Sequence, residues 1–216
     1  MLIFARGISG YDWLIVCISF LIVLILSIVL HEVAHGFIAY KQGDDTAKLQ
    51  GRLSLNPLVH FDLMGFISCV LFGFGWAKPV PVNPLKFRNF KKGTALVSIA
   101  GVTVNIILAF IFCGLYVIID SYLKITNYFY LFLYYLCYFG FILNVGFFVF
   151  NLLPIYPLDG FNLIATFTKY DNKFVQFMRQ YGSILLIVIF IFCRNVLGWL
   201  MSIIGTPLEL FWRLIF

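Results

Sequence analysis

Apolar residues along this chain fall into four long runs separated by shorter polar segments, and the runs predict membrane-spanning helices. They cover residues 12–42, 94–119, 126–152 and 182–204. A helix needs about 20 consecutive apolar residues to cross the hydrocarbon core of a bilayer, and each run meets or approaches that length. The pattern therefore predicts an all-α membrane protein, built as a polytopic transmembrane helix bundle.

Two further stretches leave the expected number of spans at four to six. The stretch from Leu63 to Ala77 is apolar but too short to span comfortably, and its glycines are typical of a short re-entrant or interfacial segment. These glycines are Gly65, Gly73 and Gly75. Near the C-terminus Arg194 interrupts the last apolar run. The later residues "GTPLELFWRLIF" form either an interfacial helix or part of another crossing.

Composition supports the membrane class. Of the 216 residues 62% are hydrophobic and 11% are charged, and the mean hydropathy is +1.01, outside the range of ordinary soluble domains. We expect a single transmembrane domain over residues 1–216, with a motif-bearing core at about 27–165 and a C-terminal span region at about 182–216. The first apolar run is too long for the core of a signal peptide, so we expect it to be retained.

Basic residues predict the orientation of the chain. There are 15 Lys and Arg against 9 Asp and Glu, and the basic residues lie between the spans instead of gathering on one face, which argues against a nucleic-acid partner. Eight of them lie in segment 41–93, and Lys169, Lys173 and Arg179 follow the third long run. Because cytoplasmic loops are enriched in Lys and Arg, we expect a multi-pass protein of the cell membrane with both basic segments in the cytoplasm.

The five cysteines carry no signal for a disulfide or a metal site. None belongs to a CxxC pair and all lie in apolar stretches, so we expect small core or lipid-facing residues. They are Cys17, Cys69, Cys113, Cys137 and Cys193.

The most unusual polar residues interrupt the first apolar run. After eighteen nearly uninterrupted apolar residues, Trp13 to Leu30, the chain reads "HEVAH" at residues 31–35 and then continues as an apolar helix. Gly43 is the expected C-cap of that helix. At about 1.5 Å of rise per residue, His35 then lies roughly 8–12 Å inside the end of the helix. The polar cluster is therefore predicted to lie within the membrane.

His31 and His35 can bind one metal ion together. Positions i and i+4 share a helical face, so both imidazoles can be directed at a single tetrahedral zinc ion, while Glu32 is turned away and suits a general base. The alternative is a chance match, with the histidines hydrogen-bonded and the glutamate paired with a cation. Each ionisable residue at this depth costs about 2.5–3.5 kcal/mol, which favours the metal site.

A catalytic zinc ion needs a third protein ligand, and Asp159 is the favoured candidate. It follows the third long run in "FNLLPIYPLDGFN", where Pro154 and Pro157 must break the helix and Gly160 permits a tight turn. Broken backbone at membrane depth is tolerated where it lines a cavity, which would let Asp159 reach the metal. The alternative is a loop aspartate just outside the membrane.

Several motifs together resemble the site-2 protease family of intramembrane zinc metalloproteases, in its compact branch without a peptide-binding domain. In chain order they are "HEVAHGFIAYKQGDDTAKLQGRLSLNPLVHFDLMG", "GWAKPVPVNP", "AGVTVN" and "FNLLPIYPLDG". The match runs from about residue 27 to 165. The resemblance implies that His31, His35 and Asp159 bind one zinc ion (Zn2+) per chain, with Glu32 as the general base.

The resemblance also assigns residues that spacing alone does not. It implies that Asn105, in a Gly-x-x-x-Asn motif with Gly101, lies by the active site and orients substrate or stabilises an oxyanion; the residues alone suit a hydrogen bond between helices equally well. His60 and Asn56 match the family pattern, and we expect them to order a loop. The chain departs from the residues usual in the family at three positions, Val102, Tyr156 and Phe161. These departures bear on local helix geometry and on substrate preference.

The implied function is that of an intramembrane endopeptidase that hydrolyses peptide bonds in or near the transmembrane segments of membrane-anchored proteins, as in regulated intramembrane proteolysis. We expect unwound substrate to pair with a strand edge in residues 63–77 or in "AKPVPVNP". Two alternatives use the same metal site. A membrane metal carrier is disfavoured because the outer half offers no histidine or paired carboxylate, and a non-catalytic membrane scaffold because no catalytic position is substituted.

Overall fold

The computed structural model describes residues 10–72, 77–124, 127–169 and 171–216, and these ranges contain helices and short connections without a β-strand. The α-helices are α1 (Tyr11–Gln42), α2 (Thr46–Leu49), α3 (Leu63–Phe72), α4 (Phe90–Tyr122), α5 (Tyr128–Asn151), α6 (Asp159–Phe167), α7 (Lys173–Phe192) and α8 (Arg194–Ile215). Two 3₁₀ turns, Pro57–Val59 and Pro84–Lys86, lie in the connection between α1 and α4. The predicted all-α fold is confirmed.

Four of the described helices, α1, α4, α5 and α7, are long and apolar enough to cross a membrane. The chain is therefore a multi-pass membrane protein, as its hydropathy predicts. Helices α1, α4 and α5 pack against one another as a central bundle. The predicted bounds of the first three spans agree with these helices to within a few residues, although residue 126 lies outside the described ranges.

The bounds predicted for the last span, 182–204, are wrong. Helix α7 ends at Phe192 and α8 begins at Arg194, and between them Cys193 has φ −106° and ψ 27°, which is not a helical conformation. Apolar residues lie on both sides of this break, so hydropathy averaged over a window joins two helices into one. Arg194, the charge that interrupts the run, is the first residue of α8.

The largest hydrophobic cluster lies where α4 and α5 pack together, and α8 covers it. Small residues allow the close approach, because a Cβ at Gly114 would lie 2.8 Å from the Trp212 ring and one at Gly140 would lie 2.3 Å from the Phe112 ring. Small residues opposite large ones are typical of membrane helix packing. Cys137 is also buried and free, as expected of a small core residue. The buried cluster members are Ala109, Cys113, Val117, Phe141, Val145 and Val149.

The connection between α1 and α4 begins at the predicted C-cap. Gly43 has φ 111° and ψ 0°, and its N–H donates to the carbonyl oxygen of Tyr40, so this prediction is confirmed. Helix α3 has ten residues and is about 15 Å long, too short to span a bilayer. A re-entrant or interfacial position for it stays a prediction, and Gly73 and Gly75 of that stretch lie outside the described residues.

Residues 77–83, the extended segment, lie without regular helix after α3. Its Lys78 N–H donates to the carbonyl oxygen of His60 at 3.0 Å, and its Asn83 N–H donates to Oδ2 of Asp44 at 2.6 Å. Burial alone would raise the pKa of the Asp44 carboxyl, but the backbone and side-chain hydrogen bonds that it accepts hold this pKa below its usual value. Asp44 therefore binds the extended segment as a carboxylate.

Candidate metal centre and catalytic cavity

Three side chains from distant parts of the chain meet at one point. His31 and His35 lie on α1, and Asp159 is the first residue of α6. The Nε2 atoms of the two imidazoles lie 3.0 Å apart, and Oδ2 of Asp159 lies 3.4 Å and 3.3 Å from them. Atoms bound tetrahedrally to one zinc ion at about 2.0–2.1 Å stand about 3.3–3.4 Å from one another. The triangle has the size of three corners of such a coordination sphere.

Both imidazoles are held with Nε2 toward the centre. Nδ1 of His35 lies 2.7 Å from the carbonyl oxygen of Val97, and Nδ1 of His31 lies 3.2 Å from Oδ1 of Asn105. An oxygen of this kind only accepts, so these contacts assign the ring proton to Nδ1 and leave the lone pair on Nε2. Such partners fix the orientation of metal ligands. Asn105 is fully buried and lies behind the ring of His31.

Asp159 reaches the centre because the helix before it ends early. Helix α5 ends ahead of the two prolines in "LLPIYPLDG", as predicted, and α6 begins at Asp159, where the helix dipole favours a carboxylate. Gly160 serves a different purpose from the predicted turn. It has no positive φ, but a Cβ there would lie 2.2 Å from the carbonyl oxygen of Leu152. The close approach of α6 to the end of α5 therefore requires a glycine.

Gly101 of α4 leaves the room that the imidazoles occupy. A Cβ at this position would lie 2.4 Å from Cε1 of His31 and 2.5 Å from Nε2 of His35. Asn105 follows one helical turn later and contacts His31. The Gly-x-x-x-Asn motif thus contributes twice to the centre, by admitting both rings and by orienting one of them.

The donor set fits zinc. Two imidazole nitrogens and a carboxylate oxygen form a ligand set of the kind that catalytic zinc sites use, with a fourth position left for water or substrate. Oδ2 of Asp159 is buried and has no hydrogen-bond partner among the described residues. The lone pairs of His31, His35 and Asp159 face one small volume, where they repel one another unless a cation lies between them. A bound divalent ion would supply the missing positive charge.

Glu32 lines the cavity that adjoins the centre. This cavity of about 380 Å³ is bounded by α1, α4, α6 and the extended segment. Oε2 of Glu32 accepts the N–H of Val80 at 2.8 Å. The Glu32 carboxylate thus lines the same cavity as the two histidines, and the extended segment holds it by a hydrogen bond. This agrees with the prediction that Glu32 is turned away from the helix face that carries the histidines. The cavity wall also includes Val82, Phe87, Val97, Asn151 and Asn162.

Sequence reasoning missed several of these contributions. The N–H of Val80 and the carbonyl of Val97 are backbone groups that nearly any residue offers, so no residue type marks them in advance. Asn151 and Asn162 are different, because they are amides close to Asp159 in a mostly apolar segment. Their polarity beside a candidate ligand was an available signal for the cavity wall.

His60 and Asn56 lie in the loop and order it, in line with expectation. Nε2 of His60, a nearly fully buried residue, lies 2.8 Å from the carbonyl oxygen of Ser54. The side chain of Asn56 accepts the N–H of Leu58 at 3.0 Å and caps the first 3₁₀ turn. Neither residue belongs to the metal-ligating group.

The fold and donor set are those of a candidate metal centre in a helical membrane protein, and comparison with known proteins identifies the family. The chain is 43% identical over 181 residues to "Putative zinc metalloprotease YwhC" of Bacillus subtilis (strain 168), covering 79% of this chain and 78% of that protein. It is 27% identical over 178 residues to "Putative zinc metalloprotease Rip2" of Mycolicibacterium smegmatis, covering 77% of this chain and 64% of that protein. No family model and no solved structure matches. The chain belongs to the site-2 protease family of zinc metalloproteases.

Proposed function

We propose that the protein is a zinc-dependent intramembrane endopeptidase, which hydrolyses peptide bonds in or near transmembrane segments of membrane-anchored proteins. The observation that carries this proposal is the convergence of His31, His35 and Asp159 beside Glu32, on a bundle whose long helices can cross a membrane. A hydrolytic centre on spanning helices suits a substrate that lies in the same bilayer. In this proposal residues 1–216 act as one domain.

The roles of the residues follow from their chemistry. His31, His35 and Asp159 would hold one zinc ion, which when bound supplies Lewis-acid polarisation of the scissile carbonyl and makes water more acidic. Glu32 takes a proton from the attacking water and passes it to the leaving amine. The N–H of Val80 orients the Glu32 carboxylate for this transfer.

Asn105 has two proposed roles, and its position favours one of them. Its contact with Nδ1 of His31 makes it a positioning residue for a metal ligand. Direct stabilisation of an oxyanion requires that the fully buried amide move into the cavity. We therefore propose that Asn105 acts through His31.

The extended segment is the proposed binding edge for unwound substrate. A helical substrate must unwind because its carbonyl groups are engaged in intrahelical hydrogen bonds. Val82 lines the cavity, and its N–H and C=O have no hydrogen-bond partner in the described part of the chain. Unpaired backbone groups of this kind can hydrogen-bond to a peptide that lies alongside as an added strand. The substrate backbone would then lie across the cavity beside Glu32.

The proposed orientation places the cavity toward the cytoplasm at the cell membrane. Segment 41–93, which carries eight basic residues, follows α1 and leads into α4. Positive residues in such connections favour the cytoplasmic side. Water would then reach Glu32 from the cytoplasm.

Co-expression with candidate membrane-anchored substrates tests the proposal. Mass spectrometry of the membrane fraction compares the wild-type protein with Glu32→Gln and with Glu209→Gln, the change at the chain's other glutamate. We expect wild type and Glu209→Gln to cleave, and Glu32→Gln to cleave about 10²–10⁴-fold more slowly while it retains zinc. Undiminished cleavage by Glu32→Gln would rule out the proposed base.

The alternatives give different results in the same material. Zinc transport into proteoliposomes at equal rates for wild type and Glu32→Gln, without cleavage, would favour a metal carrier. Absence of both transport and cleavage would favour a scaffold.

A further inference from the structure

One peptide group of the extended segment contacts the proposed general base. The Pro79–Val80 peptide carries the N–H that donates to Oε2 of Glu32 at 2.8 Å. Lys78 and Val80 both precede prolines, which biases them toward extended backbone. Val80 packs into the space that Gly36 leaves on α1, since a Cβ at Gly36 would lie 2.9 Å from Cγ1 of Val80.

The carbonyl end of the same peptide group is held by a buried arginine. Nη2 of Arg52 donates to the carbonyl oxygen of Pro79 at 2.9 Å and to that of Lys78 at 2.6 Å. Arg52 is only 7% exposed, and no carboxylate pairs with it among the residues that the structure describes. Its Nε is buried without a partner in the same described set. Burial of a charged guanidinium costs free energy unless the group is hydrogen-bonded. The carbonyl oxygens of Lys78 and Pro79 are the acceptors that offset this cost for Arg52.

The C=O and N–H of a trans peptide point in opposite directions, so Arg52 and Glu32 contact this group from opposite sides. We propose that Arg52 is a positioning residue for Glu32, acting through the Pro79–Val80 peptide. The guanidinium fixes the rotation of the peptide plane, and the plane fixes where the N–H holds the carboxylate. The inference rests on the proposed endopeptidase function, because it assigns Glu32 the role of base.

The other hydrogen bonds that hold the extended segment, to His60 and Asp44, do not involve the Pro79–Val80 peptide group. His60 binds the N–H of Lys78, and Asp44 binds the N–H of Asn83, so they fix the segment at its two ends. Between these ends, Arg52 alone among the described side chains contacts the carbonyl of Pro79. Loss of Arg52 is therefore expected to leave the segment in place while its central peptide becomes free to rotate.

Backbone exchange tests this expectation without any activity measurement. Because positions 79 and 81 are prolines, residues 77–83 retain five amide hydrogens, and hydrogen exchange resolved to single residues by fragmentation in the mass spectrometer reports on the Val80 amide separately from the other four. In the full-length zinc-loaded protein we expect the Val80 amide to exchange at least tenfold faster in Arg52→Gln, while the amides of Lys78 and Asn83, which His60 and Asp44 hold, exchange as in wild type. The matched control Arg88→Gln removes an exposed guanidinium from the same connection and is expected to exchange like wild type.

A double-mutant cycle then separates positioning from general loop stability. Val80→Pro removes the N–H that binds Glu32, and Val80→Ala removes side-chain volume but keeps that N–H. We expect Arg52→Gln and Val80→Pro each to lower kcat about tenfold, with KM and zinc content nearly unchanged. Combined, they should cost less than twofold beyond Val80→Pro, because the N–H through which Arg52 acts is already absent. In the Val80→Ala background Arg52→Gln should keep its full effect.

The outcomes are distinct from those that test the endopeptidase function. Cleavage by wild type and its loss in Glu32→Gln establish the function regardless of Arg52. Given that cleavage, multiplicative losses in the cycle, or unchanged exchange of the Val80 amide, would overturn the positioning role. If Arg52→Gln does not fold, Arg52→Lys decides the question: it keeps the charge but lacks the planar fork, so faster exchange and a lower kcat at unchanged KM support the role, and wild-type values overturn it.

Discussion

Two clusters of ionisable side chains lie on the helices of this protein, and their charges are balanced in opposite ways. The C-terminal cluster consists of Arg213 and Glu209 on α8 with Asp120 on α4. Nη2 of Arg213 donates to Asp120 at 2.9 Å and its Nε donates to Glu209 at 2.8 Å. Each carboxylate therefore has a cationic partner within the protein.

The metal centre has no such internal balance. His31, His35 and Asp159 direct lone pairs toward one point, and the described residues supply no cation to that point. The Nδ1 atoms of His31 and His35 face away from this point, and each lies within hydrogen-bond distance of an oxygen atom. A cluster whose charges are paired within the protein contributes to packing, whereas lone pairs that converge on a point without a cation require a cation from outside the protein.

The largest expected difference between the clusters comes from removing one carboxylate from each. Asp159→Ala should lose the zinc ion and all measurable cleavage, because two imidazoles alone do not hold a catalytic zinc ion. Asp120→Ala should retain about one zinc per chain and its activity. Metal analysis of the purified proteins checks both. A zinc content in Asp159→Ala equal to that of wild type would contradict the assignment of the third ligand.

The second-largest effect is expected from a substitution that adds a side chain next to the two histidines. Gly101→Ala places a methyl group against both imidazoles, and we expect zinc affinity to fall at least about 100-fold, the upper end for loss of an outer partner of a ligand. Gly198→Ala on α8 is the matched control, since a Cβ there meets nothing within 4 Å. Competition with a chelator measures both affinities. Equal affinities would mean that the rings can shift without losing the ion.

Removing the outer partner of one ligand should have a smaller effect. Asn105→Ala leaves Nδ1–H of His31 without its acceptor, and we expect zinc affinity to fall about 10–100-fold. The control is Asn144→Ala, which removes another fully buried amide, one that donates to Ser27. It should lower stability by about 1–3 kcal/mol without changing zinc affinity. A fall in kcat at unchanged zinc affinity in Asn105→Ala would instead favour the oxyanion role.

The smallest effect is expected at the C-terminal cluster. Arg213→Gln removes two charge-assisted hydrogen bonds from a partly exposed network, so we expect the free energy of unfolding to fall by about 1 kcal/mol. Zinc content and cleavage should remain at wild-type values, and Arg213→Lys should recover part of the stability. Thermal unfolding in detergent, with metal analysis in parallel, checks this. Lower zinc affinity in Arg213→Gln would show that the two clusters are coupled.

Much of this architecture could be predicted from residue types. Long apolar runs fixed the first three spans, Gly43 marked the end of α1, and i, i+4 spacing put His31 and His35 on one face. These features depend on local periodicity and on single residues with strong preferences. The same reasoning pointed to Asp159 because prolines and membrane depth left few other candidates.

The rest depended on contacts between distant segments. The break at Cys193 interrupts an apolar run without a proline or glycine to mark it. The N–H of Val80 meets Glu32 across 48 positions of sequence, and a backbone group carries no residue-specific signal. Gly160 was expected to permit a tight turn, but it has no positive φ. A glycine is needed there because a side chain would collide with the end of α5.

Gly36, the residue directly after His35, is also needed for this arrangement of the loop over α1. A methyl group on Gly36 would lie 2.7 Å from Cδ2 of Leu53 and 2.9 Å from Cγ1 of Val80, so it would force both side chains, and the loop that carries them, away from the helix surface beside His35. In this chain the residue after the second histidine thus belongs to the construction of the centre, because a larger residue there would displace the side chain of Val80, whose N–H binds Glu32.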